Sequence, residues 1–257
     1  MSVTNLIDGD GIAHIASRVS KDYDEEGFAR DEETVEANVD AFINNIFHHL
    51  ENEHNVTVDE YKIFLSGEGN FRKTINPEYK ANRRDTIYPP MLGYAKEYLT
   101  KSWNAFTVNG AEADDSIVAT WWSILSSPLL DLENDIVIIS SFDKDFKTVP
   151  CVFFDYYHSR MSLEVISEES ANRFFFSQMI EGDTADNIKG IPRKGKAAAK
   201  KALDGVTSTF GMRRKVYDMY KEKFGKKARR EYEKNFLMLY LRRDGVATPA
   251  EFEKVIL

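Results

Sequence analysis

Apolar residues along this chain follow two alternating periods. Val3 to Asp8 (VTNLID) is a short apolar run closing on an acid, and it predicts a buried strand. From Glu33 to Glu53 the positions Val35, Val39, Phe42, Ile43, Ile46, Phe47 and Leu50 recur at helical spacing and predict an amphipathic helix. Tyr61 to Ser66 (YKIFLS) predicts a second strand. Gly67 to Pro90 is polar, basic and interrupted by proline, so it predicts a loop ahead of a helix from Met91 to Lys101. Ala105 to Val108 predicts a third strand and Glu112 to Ser126 a helix. Asp135 to Ser140 (DIVIIS) is β-branched and apolar on both faces, as a central parallel strand must be. Val152 to Tyr156 reads as a further strand and Ser167 to Ile180 as a further helix. Strands alternating with helices predict an α/β fold, a mostly parallel central sheet flanked by helices. Beyond Gly182 the pattern turns helical, with glycines 182, 190, 195, 205, 211 and 225 as punctuation. The expected organisation is an α/β body over residues 1–180 and a basic helical module over 181–257.

Composition narrows the class. The 257 residues are 42% hydrophobic and 30% charged, enough apolar material for one large domain or two closely joined ones. Cys151 is the only cysteine, which excludes an intrachain disulfide or a cysteine-built zinc site and suits a reducing compartment. No run approaches the ~18 apolar residues of a membrane span. Met1 to Asp10 has no basic stretch of the kind that opens a secretory signal, so the expectation is a cytoplasmic protein without membrane contact. The net charge of −8 is unevenly distributed. Lys189 to Arg243 carries 18 Lys and Arg against 5 Asp and Glu, whereas the remainder holds 16 against 37. An acidic body thus leads into a basic quarter suited to a polyanion.

In an open α/β sheet, ligands bind at the carboxyl ends of the strands. Acids gather at those ends here. Asp8 closes the first strand, with Asp10 two residues on; Glu112, Asp114 and Asp115 follow the third; Asp143 and Asp145 follow DIVIIS; Asp183 and Asp186 open the basic module. Each group alone is explained by helix capping. Together at one edge they would repel and resist ionisation unless cations compensated, and hard dications with oxygen ligands, Mg²⁺ or Mn²⁺, are the natural partners. Two such ions about 4 Å apart activate water and clamp a scissile phosphate. Among other nucleophiles, Cys151 lies in an apolar strand, and His14, His48, His49, His54 and His158 show no H-E-x-x-H spacing. The loop NFRKTINPEYKANRR brings Arg72, Lys73, Lys80, Arg83 and Arg84 to the same edge, where they would neutralise a phosphate, with Tyr79 placed to stack on a displaced base. In GDTADNIKGIPRKGKAAAKKAL a helix, a glycine turn and a second helix are expected. The turn from Gly190 to Gly195, with Lys194 and Lys196, would offer amides and charge to a nucleic-acid backbone.

The ordered set DGD (8–10), FRK…PEYKANR (71–83), EADD (112–115), SFDKDFKT (141–148) and GDTADNIKGIPRKGKAAAKKAL (182–203) resembles the 5′-nuclease superfamily: flap endonucleases, the 5′-nuclease domain of bacterial DNA polymerase I and bacteriophage 5′→3′ exonucleases, the phage gene-6 type above all. The resemblance implies a PIN-like nuclease body with a helix–three-turn–helix module. It also implies divalent-metal-dependent 5′→3′ exonuclease or flap-endonuclease activity on duplex, nicked or branched DNA, or on primers in RNA–DNA hybrids. It makes Asp8, Glu112, Asp114 and Asp143 ligands of a first Mg²⁺ or Mn²⁺, and sets Asp115, Asp145, Asp183 and Asp186 around a second ion. Tyr79, Lys80 and Arg83 become a gateway for the 5′ end. Gly190, Ile191, Lys194, Gly195 and Lys196 become the backbone grip, with K⁺ bound in the module. A monomer is expected, with a polymerase or single-strand-binding protein as the candidate protein partner.

One departure stands out. The superfamily places an Asp just after the second strand, where this chain has LSGEGNFR. Either Glu68 substitutes or the first site is one ligand short. The span between the second and third strands is also too short for a long helical arch, which favours exonucleolytic trimming. LIDGDG superficially resembles the D-x-D of haloacid-dehalogenase-type phosphatases, with Asp8 as nucleophile. That alternative leaves PEYKANR and the basic quarter unused, and a non-catalytic DNA-structure binder is the third.

Overall fold

The computed structural model describes residues 2–18, 27–128, 131, 134–156 and 161–241. His158 and the end of the basic stretch at Arg242 and Arg243 lie outside them. In chain order the elements are β1 (Val3–Asp8), α1 (Gly9–Ala16), α2 (Glu32–His54), β2 (Glu60–Ser66), α3 (Phe71–Ile75), α4 (Leu92–Ser102), β3 (Phe106–Val108), α5 (Ala113–Leu125), β4 (Ile136–Ser141), β5 (Val152–Asp155), β6 (Ser162–Val165), α6 (Glu168–Glu181), β7 (Gly182–Asp183), β8 (Ile188–Lys189), α7 (Lys196–Leu203), α8 (Thr209–Phe224) and α9 (Ala228–Leu239). Among the described residues no helix is long and apolar enough to cross a membrane.

Two compact units divide the chain. The first gathers the described residues to Gly69 with Ile87–Phe146 and Cys151–Val165, and the second takes Asn70–Thr86, Lys147–Pro150 and the residues from Ile166 onward. The division at Val165/Ile166 falls ahead of the expected boundary at 180, and the basic loop containing PEYKANR belongs to the second unit.

In the first unit the sheet runs β3–β2–β1–β4–β5–β6. Its first five strands are parallel, and β6, absent from the sequence reading, is antiparallel to β5. β1 is central because Val3, Leu6 and Ile7 are fully buried and need cover on both faces. The connection leads from β1 outward through β2 to β3 and then returns to the other side of β1 with β4. The carboxyl ends of β1 and β4 therefore meet where the strand order reverses, and such a point leaves a crevice open to ligands. Beneath it, Ile12, Val35, Val39, Ile43, Ile46, Leu50, Ile63, Leu99 and Ile138 form one buried cluster. The α2 helix starts on an Asp31 cap to the Thr34 N–H and stops where Asn55 turns left-handed. The α1 helix escapes a periodicity reading because its sequence, GDGIAHIA, opens with two glycines.

The second unit builds its core from α6 to α9, around Phe175, Met179, Tyr220, Tyr232 and Phe236. Two of its buried polar groups reach main-chain carbonyls. Tyr220 donates to the Met179 carbonyl at 2.7 Å, and Arg72, fully buried, donates Nε–H to the Met238 carbonyl at 2.9 Å. Residues 182–189 form a tight two-stranded turn, β7 against β8, and not the helix expected to open at Asp183. Gly182 and Gly190 lie so close that a Cβ on Gly190 would meet the Gly182 nitrogen and the Ile180 oxygen at 2.3 Å each. Gly182 also holds φ +80°. Gly190→Ala is expected to destabilise the protein by about 3 kcal/mol or more, because only backbone lies in the way. A denaturant melt of the variant against the wild type checks this.

Candidate metal centre

The β1 strand delivers Asp8 to the crevice, where the carboxylate first serves the fold. Oδ1 accepts the N–H groups of Asp10 at 3.1 Å and Gly11 at 3.3 Å, capping α1, and Oδ2 accepts the Ser141 hydroxyl at 2.8 Å from the end of β4. Ser141 in turn accepts the Asp143 N–H at 3.0 Å, and Asp143 Oδ1 accepts the Asp145 N–H at 2.9 Å. The β1 and β4 carboxylates are thus linked through one serine. Tyr156, just past the end of β5, donates to the Asp8 carbonyl at 2.7 Å.

Burial first, then the Asp10 charge and more weakly that of Asp143, push the Asp8 carboxyl up to about 7; the Ser141 and Gly11 bonds offset this only in part. Burial and the same acids raise the Tyr156 phenol well above its ordinary range, so it stays a donor.

On the other side of β1, Asp10 Oδ2 accepts the Ser66 N–H at 3.0 Å at the end of β2. The Ser66 hydroxyl accepts the Ala113 N–H at 2.9 Å, which fixes the start of α5. There Glu112 and Asp115 form a capping box, with the Glu112 N–H donating to Asp115 Oδ2 at 3.2 Å. Asp115 is buried and Asp114 half-buried in that first turn. Capping is therefore performed by the acids named for chemistry, and it is capping that holds them at the strand ends.

Asp10 belongs to this set although it was not among the candidate ligands, as does its ion pair with Lys96 of α4 at 2.6 Å. The DGD spacing carried the signal for Asp10; Lys96 had none. Glu68 is exposed, its N–H bonded to the Asn109 side chain at 2.8 Å. The first position after β2 is Gly67, and it is tightly enclosed. A Cβ on Gly67 would sit 2.1 Å from Asn109 Oδ1 and 2.9 Å from the Val108 carbonyl, so no side chain fits there.

The second unit holds its own cluster. Asp186 accepts the Tyr79 hydroxyl at 2.8 Å and the Arg83 guanidinium at 2.7 Å, with the Lys80 ammonium 3.7 Å away. The Lys80 N–H also binds the Asp186 carbonyl at 3.0 Å. Asp183, 2% exposed, accepts the Ala185 N–H at 2.8 Å and the Gln178 amide at 3.4 Å. Three expectations need correction. Tyr79 is only 3% exposed and bonded to Asp186, so its ring is not free to stack on a base. Arg72 is buried under α9 and does not face a ligand. Ile191 is a core residue, and Gly190 is hemmed in by Gly182. Lys73, Arg83, Arg84, Lys194 and Lys196 are exposed, and Gly195 caps α7 with open space around it.

Among the described residues no three carboxylate, histidine or cysteine groups already stand close enough to hold an ion. The donor chemistry nonetheless fits a hard dication. All the donors are oxygens, and burial together with the neighbouring carboxylates, whose charge a dication would neutralise, raises the Asp8 carboxyl. Cys151 is buried and its thiol is pushed up by that burial, leaving it inert.

No family model matches the chain. An exodeoxyribonuclease of Enterobacteria phage T3 is 34% identical over 135 residues, which are 50% of this chain and 42% of that protein, so the match spans less than half of that relative's length. Among solved structures, a variant of the T5 5′-exonuclease superposes with TM-score 0.63 and 17% identity, covering 100% of this chain and 98% of that one. A bacteriophage T5 flap endonuclease, in a pseudo-enzyme–product complex with DNA and metal ions, superposes with TM-score 0.62 and 16% identity, covering 99% and 97%. The T5 5′-exonuclease with bound zinc superposes at 0.58 and 18%, covering 99% and 98%. The chain has the fold of these phage nucleases.

The raised Asp8 carboxyl has a consequence for stability. It ionises near 3.8 in the unfolded chain and near 7 in the folded one, so between these values the folded chain binds the extra proton and stability falls as pH rises. The melting temperature of the metal-free protein should fall more from about pH 5 to about pH 8 than that of Asp8→Asn, and Mg²⁺ should restore the wild type at the higher pH. Thermal melts at both pH values check this.

Proposed function

We propose that this chain is a divalent-metal-dependent 5′-nuclease that hydrolyses phosphodiester bonds near the 5′ end of duplex, nicked or flapped DNA, with primers in RNA–DNA hybrids as a further substrate. One observation carries the reading: carboxylates from β1, β4 and the start of α5 are fastened by Ser141 and Ser66 to the reversal edge of the sheet, and Asp8 among them resists ionisation. A centre waiting for positive charge has this form. The T3 relative, named an exodeoxyribonuclease, and the T5 flap endonuclease held with DNA and metal ions supply the substrate class.

In this reading Asp8, Glu112, Asp114 and Asp143 hold a first Mg²⁺ or Mn²⁺. A second ion beside Asp115 and Asp145, and K⁺ in the 182–203 segment, rest on the motif resemblance. Bound dications supply a water activated at neutral pH and a clamp on the scissile phosphate oxygens. The residues of the chain do the rest. Ser141 orients Asp8, and Tyr156 keeps the Asp8 backbone in place. Lys80 and Arg83, which neutralise Asp186 in this structure, are the cations for the substrate phosphate. Tyr79 positions both through Asp186. Lys194 and Lys196 at the start of α7 neutralise duplex backbone without reading sequence. The covalent-aspartate phosphatase alternative leaves these basic groups without work.

Incubating 5′-labelled duplex, nicked and flapped oligonucleotides with and without Mg²⁺ tests the reading: short 5′ products that depend on the metal support it, and intact substrate in all lanes overturns it. Asp145→Asn is expected to lower cleavage by about a thousandfold or more while keeping duplex binding in Ca²⁺. Lys194→Ala with Lys196→Ala should weaken binding and reduce the log–log salt slope by about 2, read by gel shift across a salt series.

A further inference from the structure

The Lys96–Asp10 pair is unusual for its place. Lys96 lies on α4, and its ammonium reaches away from its helical neighbour Glu97, which pairs with Lys101. It binds Asp10 Oδ1 at 2.6 Å and the Ser66 carbonyl at 3.3 Å, joining the carboxyl ends of β1 and β2. The pair is partly shielded, with the Lys96 and Asp10 side chains 33% and 29% exposed. Asp10 Oδ1 is itself buried, and the Lys96 ammonium faces it at 2.6 Å. Asp10 Oδ2 is committed to the Ser66 N–H. The same edge is where Gly67 leaves no room for an acid. A fixed cation therefore stands at the end of β2, where the acid that follows, Glu68, is exposed.

We propose that Lys96 is a positioning residue: its ammonium neutralises Asp10, keeps it a latent ligand, and so limits how tightly the sheet edge binds a dication. The proposal rests on the metal-centre reading above, and it concerns affinity and not cleavage. A monovalent cation fixed beside a dication site repels the incoming ion while it withholds one ligand oxygen. The effect is local, because exposed charges beyond about 10 Å are screened.

Mn²⁺ titrated calorimetrically into the metal-free full chain tests this. Lys96→Met should tighten Mn²⁺ binding by about tenfold, because the repelling charge is lost and Asp10 Oδ1 is released. Lys96→Arg should keep the wild-type affinity, and Lys96→Met with Asp10→Asn should return towards it. If Lys96→Met fails to fold, Lys96→Gln, which retains a donor for the Ser66 carbonyl, takes its place with the same expectation. Unchanged or weaker Mn²⁺ binding in the folded neutral variant overturns the proposal, as does tightening in Lys96→Arg. Tighter Mn²⁺ binding in a chain that cuts no oligonucleotide would leave the proposal standing and remove the nuclease reading. Metal-dependent cleavage with Mn²⁺ affinity indifferent to residue 96 would do the reverse. A wild-type chain that binds no Mn²⁺ overturns both.

Discussion

Repulsion among carboxylates that the fold itself holds in place is the constraint on which the first unit turns. Asp8 caps α1 and receives Ser141, so it cannot swing away from Asp10 and Asp143 without giving up backbone bonds. Its proton affinity rises because burial and like charge penalise the ion together. The apparent conflict between structural and chemical readings of these acids dissolves here. Capping supplies rigidity, and rigidity concentrates charge where a dication would find it.

The second unit resolves the same problem with its own cations. Asp186 is buried, and Tyr79, Arg83 and Lys80 surround it, so its charge is compensated within PEYKANR and the 182–189 turn. Residues far apart in sequence are thereby fixed in register: Lys80 bonds the Asp186 backbone, and Asn82 bonds the carbonyls of Thr184 and Ala185. The cluster ties the PEYKANR loop to the 182–189 turn through both side chains and backbone. The Gly182–Gly190 contact does the same work sterically, by admitting only one packing of the turn before α7.

Much of the first unit was legible because its strands are apolar on both faces and its longer helices keep strict spacing. The strands at Val3, Tyr61, Ala105, Asp135 and Val152 and the helices α2, α4, α5 and α6 appear within a few residues of their expected bounds. What escaped was short or locally ambiguous: the glycine-opened α1, the four-residue β6, and β7–β8, where GDTADN reads as a capped helix but closes as a turn. The acids were legible as groups, since each follows a strand. Their bonding was not, because the partners Ser66, Ser141 and Lys96 are selected only when the fold closes.

By itself, then, the sequence determined the order of strands and helices, the strand-end positions of the acids, and the split between acidic body and basic quarter. These follow from periodicity and charge along the chain, which are local properties. Tertiary structure alone decided that Tyr79 and Arg72 are buried, that the basic loop belongs with the helical unit, that Gly67 excludes a side chain, and that Lys96 sits on Asp10. Each of these depends on contacts between segments dozens of residues apart, and such contacts exist only once the core has closed over them.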